Sequence, residues 1–207
     1  MKLELINKHF APAGELEVPD AFFARAWNEH LAHRLTVSEA ANARQATRKQ
    51  LNRAGVKHST RKLRRQKGSG AARVGMAGTP IRRGGGRAFP NTPNENFSRR
   101  LNRKEYRAAL ASLVSRLVRE SRVVAASELV ADERKTAPMA KQIDTFAPDL
   151  RVLFVDTDFD TNFVFSLRNL PSVAFARLSS LRAADLLKCD RTVISRRAVE
   201  RISEVWA

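Results

Sequence analysis

Hydrophobic positions along the chain fall into two regular regions separated by one long irregular stretch. Lys2–Ile6 alternates polar and apolar residues like a short strand. Asp20 stands where a helix N-cap would. After it Phe23, Trp27, His30, Leu31 and Leu35 recur at helical spacing, which predicts one helix with a packed face. The pattern then lapses. Between Arg44 and Arg103 the large apolar residues are Leu51, Val56, Leu63, Val74, Met76, Ile81, Phe89, Phe97 and Leu101, with neither a helical nor a strand period. Regularity returns at Asn102 and Glu105, an N-x-x-E start that resembles a capping box. The helix predicted there places Tyr106, Leu110, Leu113, Val114, Leu117 and Val118 on one face, with Arg103, Lys104, Arg107, Arg116 and Arg119 turned outward.

Beyond Arg122, short apolar runs alternate with helical stretches. Val123–Ala126, Val152–Val155, Val173–Ala176 and Thr192–Ser195 read as buried strands. Lys135–Phe146, Asn162–Asn169, Arg182–Leu187 and Arg196–Trp206 read as helices. Such alternation calls for parallel strands joined by right-handed crossovers. The expected fold is therefore α/β, a small parallel sheet flanked by helices, with a long extended basic loop inserted. The body would comprise residues 1–41 and 103–207, and the loop, or arm, residues 42–102.

Charge sharpens the division. The chain of 207 residues has a formal charge of +17. Residues 44–107 hold 19 Lys and Arg against two acids, Glu95 and Glu105, and so account for the whole excess. No acid occurs from Ala40 to Asn94, and eight of the nine glycines lie between Gly55 and Gly86. Ordering a backbone costs about 1–2 kcal/mol per residue, and the few apolar side chains of this stretch cannot offset that. The arm is therefore expected to project from a neutral body and to order on a polyanion. Fully extended at about 3.3 Å per residue, each half could reach up to ~90 Å, against a body of ~15 Å radius of gyration.

The residue types suit RNA. Candidate phosphate contacts are Arg44, Arg48, Lys49, Arg53, Lys57, Arg61, Lys62, Arg64, Arg65, Lys67, Arg73, Arg82, Arg83, Arg87, Arg99, Arg100, Arg103 and Lys104. Arginine binds phosphate as a bidentate fork and stacks on bases. Glycines at 68, 70, 75, 78 and 84–86 permit positive φ and close approach of backbone N–H groups to phosphate. Pro80, Pro90 and Pro93 limit the freedom to be lost, and Phe89 and Phe97 could stack on bases or anchor the base of the arm. Charge alone would equally suit DNA, a membrane surface or an acidic chaperone.

Other chemistry is weakly supported. Asp156, Asp158 and Asp160 follow a predicted strand at the position where α/β sheets bind ligands, and resemble the D-x-D signature of haloacid-dehalogenase-like phosphotransferases. Asp160 ends that signature wrongly and no partner lysine follows. A calcium loop fails because Thr161 stands at its glycine position and Leu167 at its final glutamate. Gly68–Arg73 lacks the last glycine of G-x-G-x-x-G. His30 and His33 lie three apart with no third metal ligand in view, so a packed or capping pair is the expected reading. The single cysteine, Cys189, excludes an internal disulfide. The start lacks the apolar core of a signal peptide, and no apolar run reaches the ~18 residues of a membrane span. The expectation is a soluble, non-enzymatic protein with no catalytic residues, metal, cofactor or membrane association.

The arm also carries a resemblance. Lys62-Leu-Arg-Arg65-Gln66-Lys67-Gly68-Ser-Gly70-Ala-Ala-Arg73 and Gly84-Gly-Gly86-Arg87-Ala-Phe89-Pro90-Asn91-Thr-Pro93 resemble the hallmark segments of the bacterial-type large-subunit ribosomal protein L-four family. Asn102-Arg103-Lys104, Lys135-Thr136 and Arg168-Asn169-Leu170-Pro171-Ser-Val173 match in the same order. The resemblance implies a cytoplasmic, structural constituent of the large ribosomal subunit that binds large-subunit rRNA, helps assembly, and extends its arm to the wall of the nascent-peptide exit tunnel. Arg64, Arg65, Gln66, Lys67 and Gly68 would form the tip beside the nascent peptide. Implied partners are rRNA and neighbouring large-subunit proteins, without self-association. Leu63-Arg64 stands where the family usually has Pro-Trp, and Ala71 where arginine is common.

Overall fold

A computed structural model describes residues 1–206. Its contacts divide the chain into two units: Met1–Ala41 together with the chain from Arg99 onward, and Asn42–Ser98. The first unit is built on six strands, β1 (Lys2–Ile6), β2 (Pro12–Glu17), β3 (Val123–Ala126), β4 (Val152–Asp156), β5 (Val173–Arg177) and β6 (Arg191–Ser195). They form one sheet in the order β2-β1-β3-β6-β4-β5. Only the β1–β2 hairpin is antiparallel; every other neighbouring pair is parallel. The helices are α1 (Asp20–Phe23), α2 (Glu29–Asn42), α3 (Arg103–Arg119), α4 (Thr136–Phe146), α5 (Thr161–Leu167), α6 (Ala183–Lys188) and α7 (Arg196–Trp206), with a 3-10 turn at Leu178–Ser180.

The α/β expectation holds, and the reason is visible in the central strands. β3 and β4 are buried throughout, as strands covered on both faces must be. Alternate side chains serve opposite cores. Val123, Ala125, Leu153, Val155 and Ile194 pack with α1, α3, α6 and α7. Val124, Ala126, Val152, Phe154 and Val193 pack with Met139 and Ile143 of α4 and with Phe163 and Leu167 of α5. Phe154 meets Phe163 edge-on at 5.2 Å and Phe175 at 6.0 Å, so aromatic contacts tie β4, α5 and β5 together.

Four local expectations are corrected. The helix expected from Asp20 through Leu35 is two helices with a break at Ala24–Asn28. Hydroxyls of α3 replace the missing helical bonds: Ser115 Oγ accepts from Arg25 N at 2.9 Å and lies 2.8 Å from Phe22 O, while Ser112 Oγ accepts from Asn28 N at 2.8 Å and donates to Ala26 O at 3.1 Å. The break rotates His30 off the apolar face, and His30 and His33 are both exposed, so neither is packed. Asp20 is not the N-cap; Pro19 holds that position, and the Asp20 carboxylate pairs with the terminal ammonium. Asn102 caps α3 only by its backbone, and Glu105 pairs with Arg34 at 3.3 Å instead of closing a capping box.

β2 was not expected. Its residues PAGELE are nearly all exposed and carry no apolar alternation, so only pairing with β1 defines it. The turn between them places Phe10 at φ 59°. Its ring is buried 5.5 Å from Phe146 and 5.8 Å from Phe154, which compensates for an unfavourable backbone.

Candidate nucleic-acid interface

The unit Asn42–Ser98 contains no helix or strand of its own beyond two isolated bridges, Asn52 with Arg87 and Lys62 with Met76. Only Gly78 and Gly86 are buried in it; no side chain with a Cβ is. Hydrophobic burial therefore does not hold it. Backbone hydrogen bonds do.

At one end, Gln50 N donates to Asn91 O at 3.0 Å, Arg87 N to Leu51 O at 2.9 Å, and Gly86 N to Gly78 O at 3.1 Å. Asn52 organises the turn beside them, its Oδ1 accepting from Ala54 N at 3.1 Å and Gly55 N at 2.8 Å. The chains approach so closely that a Cβ on Gly86 would overlap the backbone of Asn52 and Arg53, and one on Gly85 would overlap the Thr79 carbonyl. Of the glycines expected to permit positive φ or close approach, Gly68, Gly70 and Gly84 adopt positive φ in this unit. The others serve close packing of backbone on backbone. Nor is the segment without internal order, as its lack of periodicity implied. Asn52-Arg-Ala-Gly55 was the overlooked signal, an Asx turn readable in sequence.

The segment resembling the family's tip is a closed loop. Leu63 N donates to Gly75 O at 3.1 Å next to the Lys62–Met76 bridge. Arg64, Arg65, Gln66, Lys67 and Gly68 are all exposed within it. Arg65 Nη2 donates to Gly68 O at 2.7 Å, and Lys62 Nζ donates to Gln66 Oε1, which curls the loop on itself.

Every candidate cation is exposed. Those from Arg44 to Arg87 lie in this unit; Arg99, Arg100, Arg103 and Lys104 lie in the other, at the approach to α3 and its first turn. Among the described residues Arg48 alone of the cations from Arg44 to Arg87 pairs with a carboxylate, holding Glu95 in a fork at 2.8–3.1 Å. Arg44 stacks over Phe97 at 4.0 Å, so that ring is already covered on one side. Phe89, by contrast, is 96% exposed. A dense set of guanidinium and ammonium groups with few acids to neutralise them makes a strongly electropositive surface.

The alternative aspartate site dissolves into structural roles. Asp156 is buried, and its Oδ1 accepts from Ser195 Oγ at 2.6 Å and Thr157 N at 2.7 Å. Ser195 Oγ in turn accepts from Ala198 N at 3.1 Å and so caps α7. Asp160 caps α5 through Phe163 N at 3.3 Å, and Asp158 faces Arg177 at 3.5 Å on the surface. Cys189 is a buried thiol, pushed above its usual pKa first by burial and then by Asp185 and Asp190. It is poorly suited to act as a nucleophile.

Known proteins carry the same arrangement of sequence from end to end. A family model described as "Ribosomal protein L4/L1 family" matches residues 16–205. "Large ribosomal subunit protein uL4" of Chromobacterium violaceum is 43% identical over 207 residues, covering all of both chains. The proteins of that name from Neisseria meningitidis and Aromatoleum aromaticum are 43% and 41% identical over 206 residues, again with full coverage. Matches of this extent leave no part of the body or of the glycine-rich unit outside the likeness, and the chain belongs to the ribosomal protein L4/L1 family.

Proposed function

We propose that this chain is a structural constituent of the large ribosomal subunit, in the cytoplasm, and that its cationic segment, residues 42–102, is the arm that binds large-subunit rRNA and helps the subunit assemble. As a member of its family the chain is a structural protein and not an enzyme. The observation that carries the rRNA reading is the segregated charge: the whole formal excess of +17 lies in residues 44–107, on cationic side chains that are exposed, and from Arg44 to Arg87 Arg48 alone pairs with a carboxylate. Arg44, Arg48, Lys49, Arg53, Lys57, Arg61, Lys62, Arg64, Arg65, Lys67, Arg73, Arg82, Arg83 and Arg87 bind phosphates from this unit, joined by Arg99, Arg100, Arg103 and Lys104. The loop Arg64–Gly68 lies at the wall of the exit tunnel beside the nascent peptide, a reading supported by its match to the family's hallmark segment. Neighbouring large-subunit proteins complete the set of partners, and the chain does not self-associate.

The test is a deletion of Arg61–Arg87 with binding to large-subunit rRNA measured across a salt series. For about six neutralised phosphates, log K against log salt should fall with a slope near −4. The deletion should leave the first unit folded by circular dichroism, weaken binding and flatten that slope. Unchanged affinity in the deleted chain would overturn the assignment.

A further inference from the structure

β5 is an edge of the sheet, paired with β4 on one side only. Val152 N donates to Ser172 O at 2.8 Å, which fixes the alternation along the strand. In a parallel ladder the N–H and C=O of one residue point to the same side. Ser172, Ala174 and Ala176 thus face β4, and Phe175 turns its own N–H and C=O to the open side. The flanking groups are partly used: Val173 N donates to Leu170 O at 3.2 Å, and Ser180 Oγ donates to Arg177 O at 3.3 Å. Phe175 is left presenting the donor and acceptor pair that an added strand would take.

Beside this edge runs a groove of about 420 Å³, lined by Phe159, Val164, Phe165, Phe175 and Arg177. Phe165 is 42% exposed, and two guanidinium groups stack over its ring, Arg134 at 5.2 Å and Arg168 at 4.6 Å. Arg134 is held in place by Asn162 Oδ1 at 2.7 Å. Arg177 has only the exposed Asp158 opposite it, at 3.5 Å. Such a surface pair contributes little and exchanges readily for a better partner. Arg177 thus lines an apolar slot next to an open backbone edge, and the Phe165 ring in its wall carries two more arginines.

Nucleic acid would use the arginines and the phenylalanine face, but it has no repeating backbone donor and acceptor to match those of a strand edge and no side chain to seat against Phe159, Val164 and Phe175. A peptide satisfies all three features at once. We infer that the β5 edge accepts an extended segment of a neighbouring protein as a seventh strand. That segment alternates apolar side chains, seated against Phe165 and Val164, with acidic ones that meet Arg134, Arg168 and Arg177. The inference rests on the chain's proposed place in the large subunit, which co-sedimentation of the unaltered chain with large subunits tests separately.

The experiment uses assembled large subunits containing the full chain with Phe165→p-benzoylphenylalanine, irradiated and analysed by mass spectrometry. A crosslink to one protein, mapping to an acidic and apolar extended segment, is expected, and the exposed double variant Arg134→Glu with Arg168→Glu should cut its yield severalfold. Crosslinks to RNA alone, no crosslink, or a yield indifferent to the charge reversal overturns the inference. Hydrogen exchange of unaltered subunits gives a readout that requires no variant: the open-side amide of Phe175 should exchange at least about tenfold more slowly than in the free chain. Equal exchange rates overturn it as well.

Discussion

A methyl group added at Gly86 would lie among the backbone atoms of Asn52 and Arg53, whereas one added at Gly70 would meet nothing within 4 Å. The two positions need glycine for different reasons. Gly70 has φ +62°, a left-handed conformation that costs other residues about 1–2 kcal/mol and disturbs nothing around it. Gly86 must let two stretches of backbone touch. Gly86→Ala is therefore expected to break the Arg87 N to Leu51 O bond and to speed amide exchange at Arg87, while Gly70→Ala leaves that amide unchanged. Equal effects in the two variants would contradict this division. Asp156→Ala belongs at the same scale. It removes the acceptor of two short bonds in a buried setting, from Ser195 Oγ and Thr157 N, and should cost about 1–3 kcal/mol in urea unfolding. Sequence reading weighed Asp156 as part of a phosphotransferase-like signature, because it follows a predicted parallel strand, and set it aside. Its true employment, joining β4 to the start of α7, depends on Ser195, thirty-nine residues away, and no local spacing reports that.

Elements were legible where their signal is local. The runs that form β3, β4, β5 and β6 are short, apolar and rich in β-branched or aromatic residues, and in β3, β4 and β6 burial on both faces leaves few other uses for them. β2 was illegible because it is a polar edge that exists through its partner. The α1–α2 break was illegible for a related reason. Helical spacing continues from Phe23 through Leu35, yet serines of α3 offer the backbone a competing set of bonds across 84 to 93 positions of sequence. Those hydroxyls carry a prediction. Ser115→Ala removes the acceptor that Arg25 N uses at the break and should destabilise the first unit by about 1–3 kcal/mol, read as a lowered urea midpoint with an unchanged m-value. A variant as stable as the wild type would show that the break has another cause.

At the scale of the whole molecule, charge distribution was the most legible property, because it requires only counting. The glycine-rich unit was misjudged in one respect: the absence of apolar periodicity was taken to mean the absence of internal structure, yet hydrogen bonds among Gln50–Gly55 and Gly75–Asn91 need no apolar side chain. The same unit holds a test of the proposed rRNA interface as a sum of charges. Glu95 occupies Arg48 in a two-pronged bond. Glu95→Gln should remove the carboxylate that competes with phosphate for that guanidinium and steepen the salt slope by up to about 0.7, the increment for one full contact on single-stranded RNA. A slope that stays fixed would place Arg48 outside the contact surface.

That only glycines are buried between Asn42 and Ser98 also bears on how the protein should respond to heat. The heat capacity released on melting tracks newly wetted hydrocarbon, and this unit has almost none to release. A calorimeter should accordingly register an increment close to that of a chain of about 150 residues, near 2 kcal/mol/K at roughly 12–15 cal/mol/K per residue. By that thermal measure, more than a quarter of the polypeptide would pass unseen.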